Sequence, residues 1–189
     1  MRTEKLYEAD SHLSQFNADV LSCEKSDERY KIILDKTAFF PEGGGQHGDR
    51  GKIGEAKVLD TVIENGEIIH FTDRPLETNK SFFCSLDFKR RFAFMQNHSG
   101  EHIVSGIFHK EFGFDNVGFH LAEDFATLDI NGIVDRKTIN FIEYEANKAV
   151  WSNLKVKAYF PDKRELEALE YRSKKEIAGD IRIVEIENT

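Results

Sequence analysis

Residues 39–51 read Phe-Phe-Pro-Glu-Gly-Gly-Gly-Gln-His-Gly-Asp-Arg-Gly, and this glycine-rich stretch decides how the rest of the chain is interpreted. Glycine costs backbone entropy, so three in a row are tolerated mainly where the main chain must take positive φ or approach another group closely. Gly43, Gly44 and Gly45 stand between a carboxylate and the amide of Gln46. The pattern predicts a binding loop.

A second motif lies downstream, where His98 and His102 are four residues apart in a segment with helical spacing of apolar residues. Side chains at i and i+4 share one helix face, and two neutral imidazoles so placed can bind one zinc ion together with ligands from elsewhere. Zinc lowers the pKa of a bound water to about 7 and so supplies hydroxide for attack on a carbonyl. The spacing also occurs by chance, and histidines that merely pack or face solvent are the alternative.

The same segment has another interpretation, because residues 98–102 also match HxxEH. In this inverted zinc-peptidase pattern the glutamate, here Glu101, is the general base. A peptidase of this kind gives no reason for the glycine triplet.

Composition and charge limit the classes of function. The 189 residues carry a formal net charge of -8 and 40% hydrophobic residues, which is enough for a packed core in one domain or two small ones. Neither the part up to Leu86 nor the part after it is basic. A nucleic acid would have to be held by local basic patches. The alternative interpretation of each patch is a charged surface that only contacts solvent. The candidate patches are Lys89-Arg90-Arg91, Lys155 with Lys157, and Arg172 with Lys174 and Lys175.

The cysteines and the hydropathy bear on the compartment. Cys23 and Cys84 are too few for a disulfide framework and lack CxxC spacing, so both are predicted to be small buried hydrophobes in a reducing cytoplasm. The first thirty residues show no signal-peptide pattern, and no apolar run approaches the ~18 residues of a membrane span. We therefore expect neither secretion nor membrane insertion.

Up to Leu86 the pattern is one of short strands with turn signals, which favours a small barrel. Asn65-Gly66 is the dipeptide preferred by a tight hairpin turn with two positive φ angles. The predicted strands are Ala18 to Cys23, Tyr30 to Leu34, Ala56 to Ile63, Ile68 to Phe71 and Phe82 to Leu86.

After Leu86 the apolar period becomes helical from about Phe88 until Gly113 supplies a stop. A hairpin is predicted next, with His120 as a strand residue and not a ligand. A second helix follows, with an apolar stripe, and then two strands separated by a short helix, so that helices cover one face of a sheet. The stripe comprises Ile139, Ile142, Ala146, Ala149 and Val150; the last elements are Lys155 to Phe160, Glu165 to Leu169 and Ile181 to Ile186.

These motifs together resemble the AlaX-type alanyl-tRNA editing proteins, freestanding relatives of the editing domain of alanyl-tRNA synthetase. The matching segments are residues 3–7, 34–46, 91–102, 117–120 and 181–186, in the family's order. The resemblance implies an α+β fold. A small β-barrel of the translation-factor kind would span residues 1–86, and a two-layer α/β domain like the second added domain of threonyl- and alanyl-tRNA synthetases would span residues 87–189.

The resemblance also implies an activity, the hydrolysis of the ester that joins serine or glycine wrongly to the acceptor end of the tRNA for alanine, tRNA(Ala). A pocket shaped for alanine cannot strongly reject serine, whereas a second pocket that hydrogen-bonds the seryl hydroxyl can reject alanine. The implied roles are zinc binding by His98 and His102, recognition of the seryl hydroxyl by Thr37, orientation of the aminoacyl end or the attacking water by Gln46, and contact with the terminal adenosine by Gly43, Gly44 and Gly45. For Thr37 the alternative is a strand residue that faces solvent.

One part of the family pattern is missing. The family completes its zinc site with a CxxxH motif shortly after a strand like Ile181 to Ile186, whereas this chain stops at Thr189. We therefore expect the sequence to end just before its second ligand pair; the alternative is that the site is incomplete and binds metal weakly. His47 is a milder departure, since the family more often has proline or a small residue there. The alternative function is binding of tRNA ends without hydrolysis. Such a domain would not need the two zinc-site histidines.

Overall fold

The computed structural model describes residues 3–122, 125–169, 181 and 183–187. They form two compact units, one with the described residues up to His98 and from Phe119 to Thr127, the other with those from Ser99 to Gly118 and from Leu128 onward. The units divide inside the long helix that follows Leu86, the residue after which the sequence placed the domain boundary.

The elements follow one another in an order that is mostly β before Leu86 and mixed after it. They are β1 (Glu4–Lys5), α1 (Leu6–Ala9), β2 (Gln15–Ser26), β3 (Arg29–Leu34), β4 (Lys36–Thr37), β5 (Gly51–Ile53), β6 (Ala56–Glu64), β7 (Glu67–Thr72), β8 (Ser81–Leu86), α2 (Phe88–Phe112), β9 (Asn116–Leu121), β10 (Ala126–Ile130), α3 (Arg136–Trp151), β11 (Val156–Tyr159), α4 (Lys163–Ala168) and β12 (Ile183–Ile186). The predicted strands and helices are thereby confirmed, with shifts of a few residues at their ends.

Six strands of the first unit are hydrogen-bonded in the closed order β2-β3-β7-β6-β5-β8, and every neighbouring pair is antiparallel. Strand β2 shows why the barrel forms, because Phe16, Ala18 and Val20 are buried while the residues between them are exposed. This period of two places one face of the strand in the core. The Asn65-Gly66 turn between β6 and β7 has φ angles of 52° and 84°, which confirms the predicted hairpin turn.

Sequence reasoning missed four short elements, β1, α1, β4 and β5. Strand β5 has only three residues but completes the barrel between β6 and β8. Strand β4 pairs in parallel with β1, with Lys5 opposite Thr37. Runs of two or three residues are too short for a hydrophobic period to reveal them.

The second unit has its own apolar core, in which Ile107 and Phe108 of α2 pack with Ile142 of α3. Leu128 and Ile130 of β10 pack against this cluster, so both helices contact the β9–β10 hairpin. In place of one sheet, the strands described after α2 form two separate two-stranded sheets, β9–β10 and the antiparallel pair β11–β12.

The apolar stripe predicted on α3 is buried only in its middle. Ile142 is buried, whereas Ile139 is 43% and Val150 is 59% exposed. Periodicity shows which residues share a face, but only the middle of this face meets the core. None of the described helices is long and apolar enough to span a membrane. The likeness to translation-factor barrels and to the synthetase added domain stays a prediction.

Candidate functional site

The glycine run forms a tight turn closed by two backbone hydrogen bonds. The N–H of Gly43 donates to the Gln46 carbonyl and the N–H of Gln46 donates to the Gly43 carbonyl, both at 3.0 Å. Gly44 and Gly45 have φ angles of 61° and 82°, which L side chains rarely adopt. A Cβ atom at Gly45 would also lie 2.6 Å from the backbone oxygen of Phe119. The turn itself therefore requires two of the three glycines, and the proposed contact with adenosine stays a prediction.

The turn is fixed against strand β9. The N–H of Leu121 donates to the Gly45 carbonyl at 3.0 Å, and Gln46 forms an isolated parallel bridge with Leu121. This bridge brings His47 and His120 together, with ring centroids 5.8 Å apart and both side chains exposed. His120 lies on a strand, as predicted.

Gln46 points at the zinc-motif helix. Its side chain is buried, and its Oε1 lies 3.2 Å from Nδ1 of His98. Because an amide oxygen only accepts, His98 must carry its proton on Nδ1, which leaves the lone pair of the neutral ring on Nε2. The ring also packs on Phe119, with centroids 5.4 Å apart. A metal-binding histidine is commonly oriented in this way, with its other nitrogen held by a hydrogen-bond acceptor.

His102 follows His98 one helical turn later on α2, as the sequence predicts. The ligand-capable atoms of His98, Glu101 and His102 lie within 4.8 Å of one another. Two imidazoles and a carboxylate are ligand types that zinc accepts, so the residues present fit a zinc ion. Glu101 was considered only as a general base by sequence reasoning, although its place in the same helical turn was the available signal.

The environment of Glu101 does not favour the peptidase interpretation. Its side chain is 6% exposed and accepts a hydrogen bond from Nδ2 of Asn116. Its second carboxylate oxygen lies 3.6 Å from Nδ1 of His102. A general base must reach the proton that it abstracts, and this carboxylate is enclosed and hydrogen-bonded.

Thr37 lies inside the barrel unit with no exposed surface, so the alternative of a solvent-facing strand threonine is wrong. His70 lies opposite it, with Nε2 at 2.9 Å from Thr37 Oγ1 and Nδ1 at 3.1 Å from the Ile32 carbonyl. The carbonyl can only accept, so Nδ1 carries the proton of the neutral ring and Thr37 donates its hydroxyl proton to Nε2. Thr37 Oγ1 in turn accepts from the N–H of Phe39 at 3.1 Å. The hydroxyl can therefore receive a further hydrogen bond but has no proton left to donate.

Burial explains the protonation state of His70. Desolvation lowers the pKa of His70 from 6.5 to about 4, against a smaller raising effect of the hydrogen bond to Ile32. His70 belongs to no motif in the sequence. Its position between apolar strand neighbours was the only signal of burial.

The basic patch proposed at Lys89-Arg90-Arg91 requires a correction. Arg91 is buried and forms an ion pair with Asp49, while Arg90 donates from Nη1 to the Gly48 carbonyl at 2.8 Å. Only Lys89 of the three is exposed, because helical spacing turns the other two toward the glycine-rich stretch. Lys155 and Lys157 are exposed, and the third patch, at residues 172–175, lies outside the described residues.

The two cysteines lie in or beside the barrel core. Cys84 is fully buried, and burial raises the pKa of its thiol to about 12, which makes it chemically inert near neutral pH. Cys23 is half-buried and packs against the same core. Cys84 is thus confirmed as a small buried hydrophobe, and Cys23 only in part.

A cavity of about 320 Å³ occurs in the second unit, between the C-terminal parts of α2 and α3, with both acidic and basic side chains in its wall. None of the site residues predicted from the sequence lines it. Its walls are formed by Ile107, Lys110, Glu111, Glu145, Lys148, Ala149, Ser152 and Leu154.

Comparison with known proteins gives a consistent set of relatives, although no family model matches the chain. It is 37% identical over 161 residues to alanyl-tRNA editing protein AlaX-L of Pyrococcus horikoshii, covering 81% of this chain and 40% of that protein. It is 33% identical over 171 residues to alanyl-tRNA editing protein AlaX-M of Saccharolobus solfataricus, covering 86% of this chain and 70% of that protein. An alanine–tRNA ligase of Ignicoccus hospitalis is 33% identical over 198 residues, and the chain spans 21% of its length.

Proposed function

The chain belongs to the family of alanyl-tRNA editing proteins, and on that premise we propose that it hydrolyses the ester of mischarged tRNA(Ala) in the cytoplasm. Serine, and also glycine, would be the amino acids removed. The observation that carries the proposal is the contact between Gln46 of the glycine turn and His98 of α2, at 3.2 Å. It joins the two motifs that the sequence singles out, which a peptidase does not need.

His98 and His102, with Glu101 beside them, are the residues that would hold zinc. When bound, the ion would polarise the ester carbonyl and lower the pKa of a water that attacks it. Gln46 holds the His98 ring by accepting from Nδ1, so that the lone pair of the ring is on Nε2. The two hydrogen bonds that close the turn use the N–H groups of Gly43 and Gln46. The N–H groups of Gly44 and Gly45 can therefore serve as donors to the aminoacyl end.

Thr37 is proposed to distinguish serine from alanine. Because its own proton is committed to His70, it can only accept a hydrogen bond from the seryl hydroxyl. A site built to receive such a bond rejects the analogue that lacks the hydroxyl, because a buried polar group would then lose its partner. Since Thr37 has no exposed surface, the substrate must open a path to it on binding.

The test is the rate of deacylation of seryl-, glycyl- and alanyl-tRNA(Ala) with zinc supplied. We expect the seryl ester to be cleaved and the alanyl ester to persist, with activity lost in His98→Ala and His102→Ala. The glycyl ester, which also lacks the hydroxyl, should be cleaved more slowly than the seryl ester. His109→Ala, at an exposed histidine on the same helix, is the matched control.

The two alternative functions predict different results for the wild type and the variants. A domain that only binds tRNA ends would show no hydrolysis by the wild-type chain and unchanged tRNA binding in both histidine variants. Cleavage of peptides that is lost in Glu101→Gln would instead support the peptidase interpretation. A preference for the seryl over the alanyl ester that is the same in Thr37→Val as in the wild type would overturn the role given to Thr37.

A further inference from the structure

A buried ion pair lies directly behind the glycine turn. The side chains of Asp49 and Arg91 are 2% and 3% exposed. Arg91 donates from Nε to Asp49 Oδ2 at 2.7 Å, and Nη2 donates to the same oxygen. The same Nη2 donates to the Ala38 carbonyl at 2.7 Å, and Nη1 donates to the Ser11 carbonyl at 3.1 Å. Each guanidinium nitrogen therefore has a protein acceptor.

Asp49 has further hydrogen-bond partners besides Arg91. Its Oδ2 also accepts from the N–H of Phe40 at 2.8 Å, and its own N–H donates to the Phe40 carbonyl at 2.9 Å. Its carbonyl accepts from the hydroxyl of Thr61 at 2.9 Å. These bonds hold the end of the glycine-rich stretch in one conformation against the start of α2.

The ion pair and the Gln46–His98 contact join the same two segments. Arg91 and His98 are seven residues apart, which is two helical turns, so they lie on one face of α2. Asp49 and Gln46 are three residues apart in the stretch that faces it. The two contacts thus follow one another between one loop and one helix face. A shift of the loop at the ion pair would therefore also move Gln46 relative to His98.

We infer that Asp49 and Arg91 are a positioning pair, which sets the register of the glycine turn on α2 so that Gln46 holds His98 in its Nδ1–H form. This rests on the proposed function for its catalytic consequence. A buried ion pair is weak evidence for net stability, because desolvation of the two charges offsets their attraction. The Arg91 guanidinium, in contrast, also donates to the Ser11 and Ala38 carbonyls, and this set of bonds restricts how the two segments can be arranged.

The first readout needs no substrate. In protein labelled with 15N-histidine and kept free of metal by a chelator, nitrogen shifts at pH 8 report which nitrogen of His98 carries the proton. We expect the Nδ1–H form in the wild type and a mixture of forms in Gln46→Ala, Asp49→Asn and Arg91→Lys. Arg91→Lys keeps the positive charge but loses the several donor nitrogens of the guanidinium. It therefore provides the same test if Asp49→Asn fails to fold.

The matched control is Val58→Ala, a substitution in the barrel core that lowers stability without touching either link. It should keep the wild-type form of His98. If Asp49→Asn or Arg91→Lys folds and His98 keeps its wild-type Nδ1–H form, the positioning role is wrong and the pair is merely structural.

The second readout is the kinetic coupling to Gln46. We expect Asp49→Asn to lower kcat for seryl-tRNA(Ala) by about tenfold to a hundredfold, because small misplacements of catalytic groups have effects of this order. KM should change little, since neither partner of the ion pair is proposed to touch substrate. Gln46→Ala should lower kcat in the wild type but have a much smaller effect in the Asp49→Asn background.

The two proposals fail in distinguishable ways. If the wild type cleaves no aminoacyl-tRNA but the pair variants change the protonated nitrogen of His98, the editing function is wrong and the positioning role stands. The opposite case is a wild type that cleaves seryl-tRNA(Ala), pair variants in which the protonated nitrogen of His98 is unchanged, and effects of Asp49→Asn and Gln46→Ala on kcat that multiply. The editing function then stands and the positioning role is wrong.

Discussion

Acidification is expected to destabilise this protein through one buried histidine. Burial lowers the pKa of His70 from 6.5 to about 4, so the unfolded chain binds a proton over a range in which the native state does not. The stability that depends on neutral His70 is complete above pH 6.5 and is lost as the pH falls toward 4. The full loss is about 3 kcal/mol, because each pKa unit corresponds to roughly 1.4 kcal/mol.

The measurement is the free energy of unfolding in urea at pH 7 and pH 5. Between these values the His70 contribution should fall by about 2 kcal/mol. In His70→Gln the side chain still offers an oxygen acceptor to Thr37 but does not titrate, so this loss should disappear. His12→Gln, at an exposed histidine, should retain the wild-type loss.

Two results would refute the reasoning. One is a stability of the wild type that is the same at pH 7 and pH 5. The other is a His70→Gln variant that loses as much stability as the wild type between these two pH values, because another group would then be responsible for the effect.

Three further predictions concern the metal, the barrel interior and the second unit. Gln46→Ala should weaken zinc binding by about 10- to 100-fold in a competition titration, because His98 loses the acceptor that orients it; unchanged affinity would contradict this. Thr37→Val should lower the free energy of unfolding by about 1–3 kcal/mol, since the groups that it bonds lose their partner, whereas Thr37→Ser should stay near the wild type. Ile142→Ala should lower the stability of the second unit by about 2–4 kcal/mol, and Ile133→Ala, at a position that is 98% exposed, should stay within about 0.5 kcal/mol in the same urea titration.

Much of the local structure followed from the sequence. The Asn65-Gly66 turn was predictable because the need for two positive φ angles is met by residue type alone. Helix α2 and most strands were predictable because hydrophobic period reports which residues share a face. The placement of His98 and His102 on one turn of α2 followed from the same period.

The connections within the candidate site did not follow from the sequence. Arg91 was grouped with a surface patch, although it is bonded to Asp49, 42 residues away. Thr37 was assigned a role in recognition, but its partner His70, 33 residues away, was not identified. In each case the residue type is compatible with both a solvated and a buried position, and only the partner decides between them.

The sequence by itself therefore determined the glycine turn, the succession of strands and helices, the histidine pair and the family, since each depends on residue type at short spacing or on similarity along the chain. Only the tertiary structure decided that Gln46 meets His98, that Thr37 gives its proton to His70, and that a buried ion pair links the glycine-rich stretch to α2. Such contacts join segments far apart in the chain, and their hydrogen-bond directions depend on which groups the closed barrel removes from water.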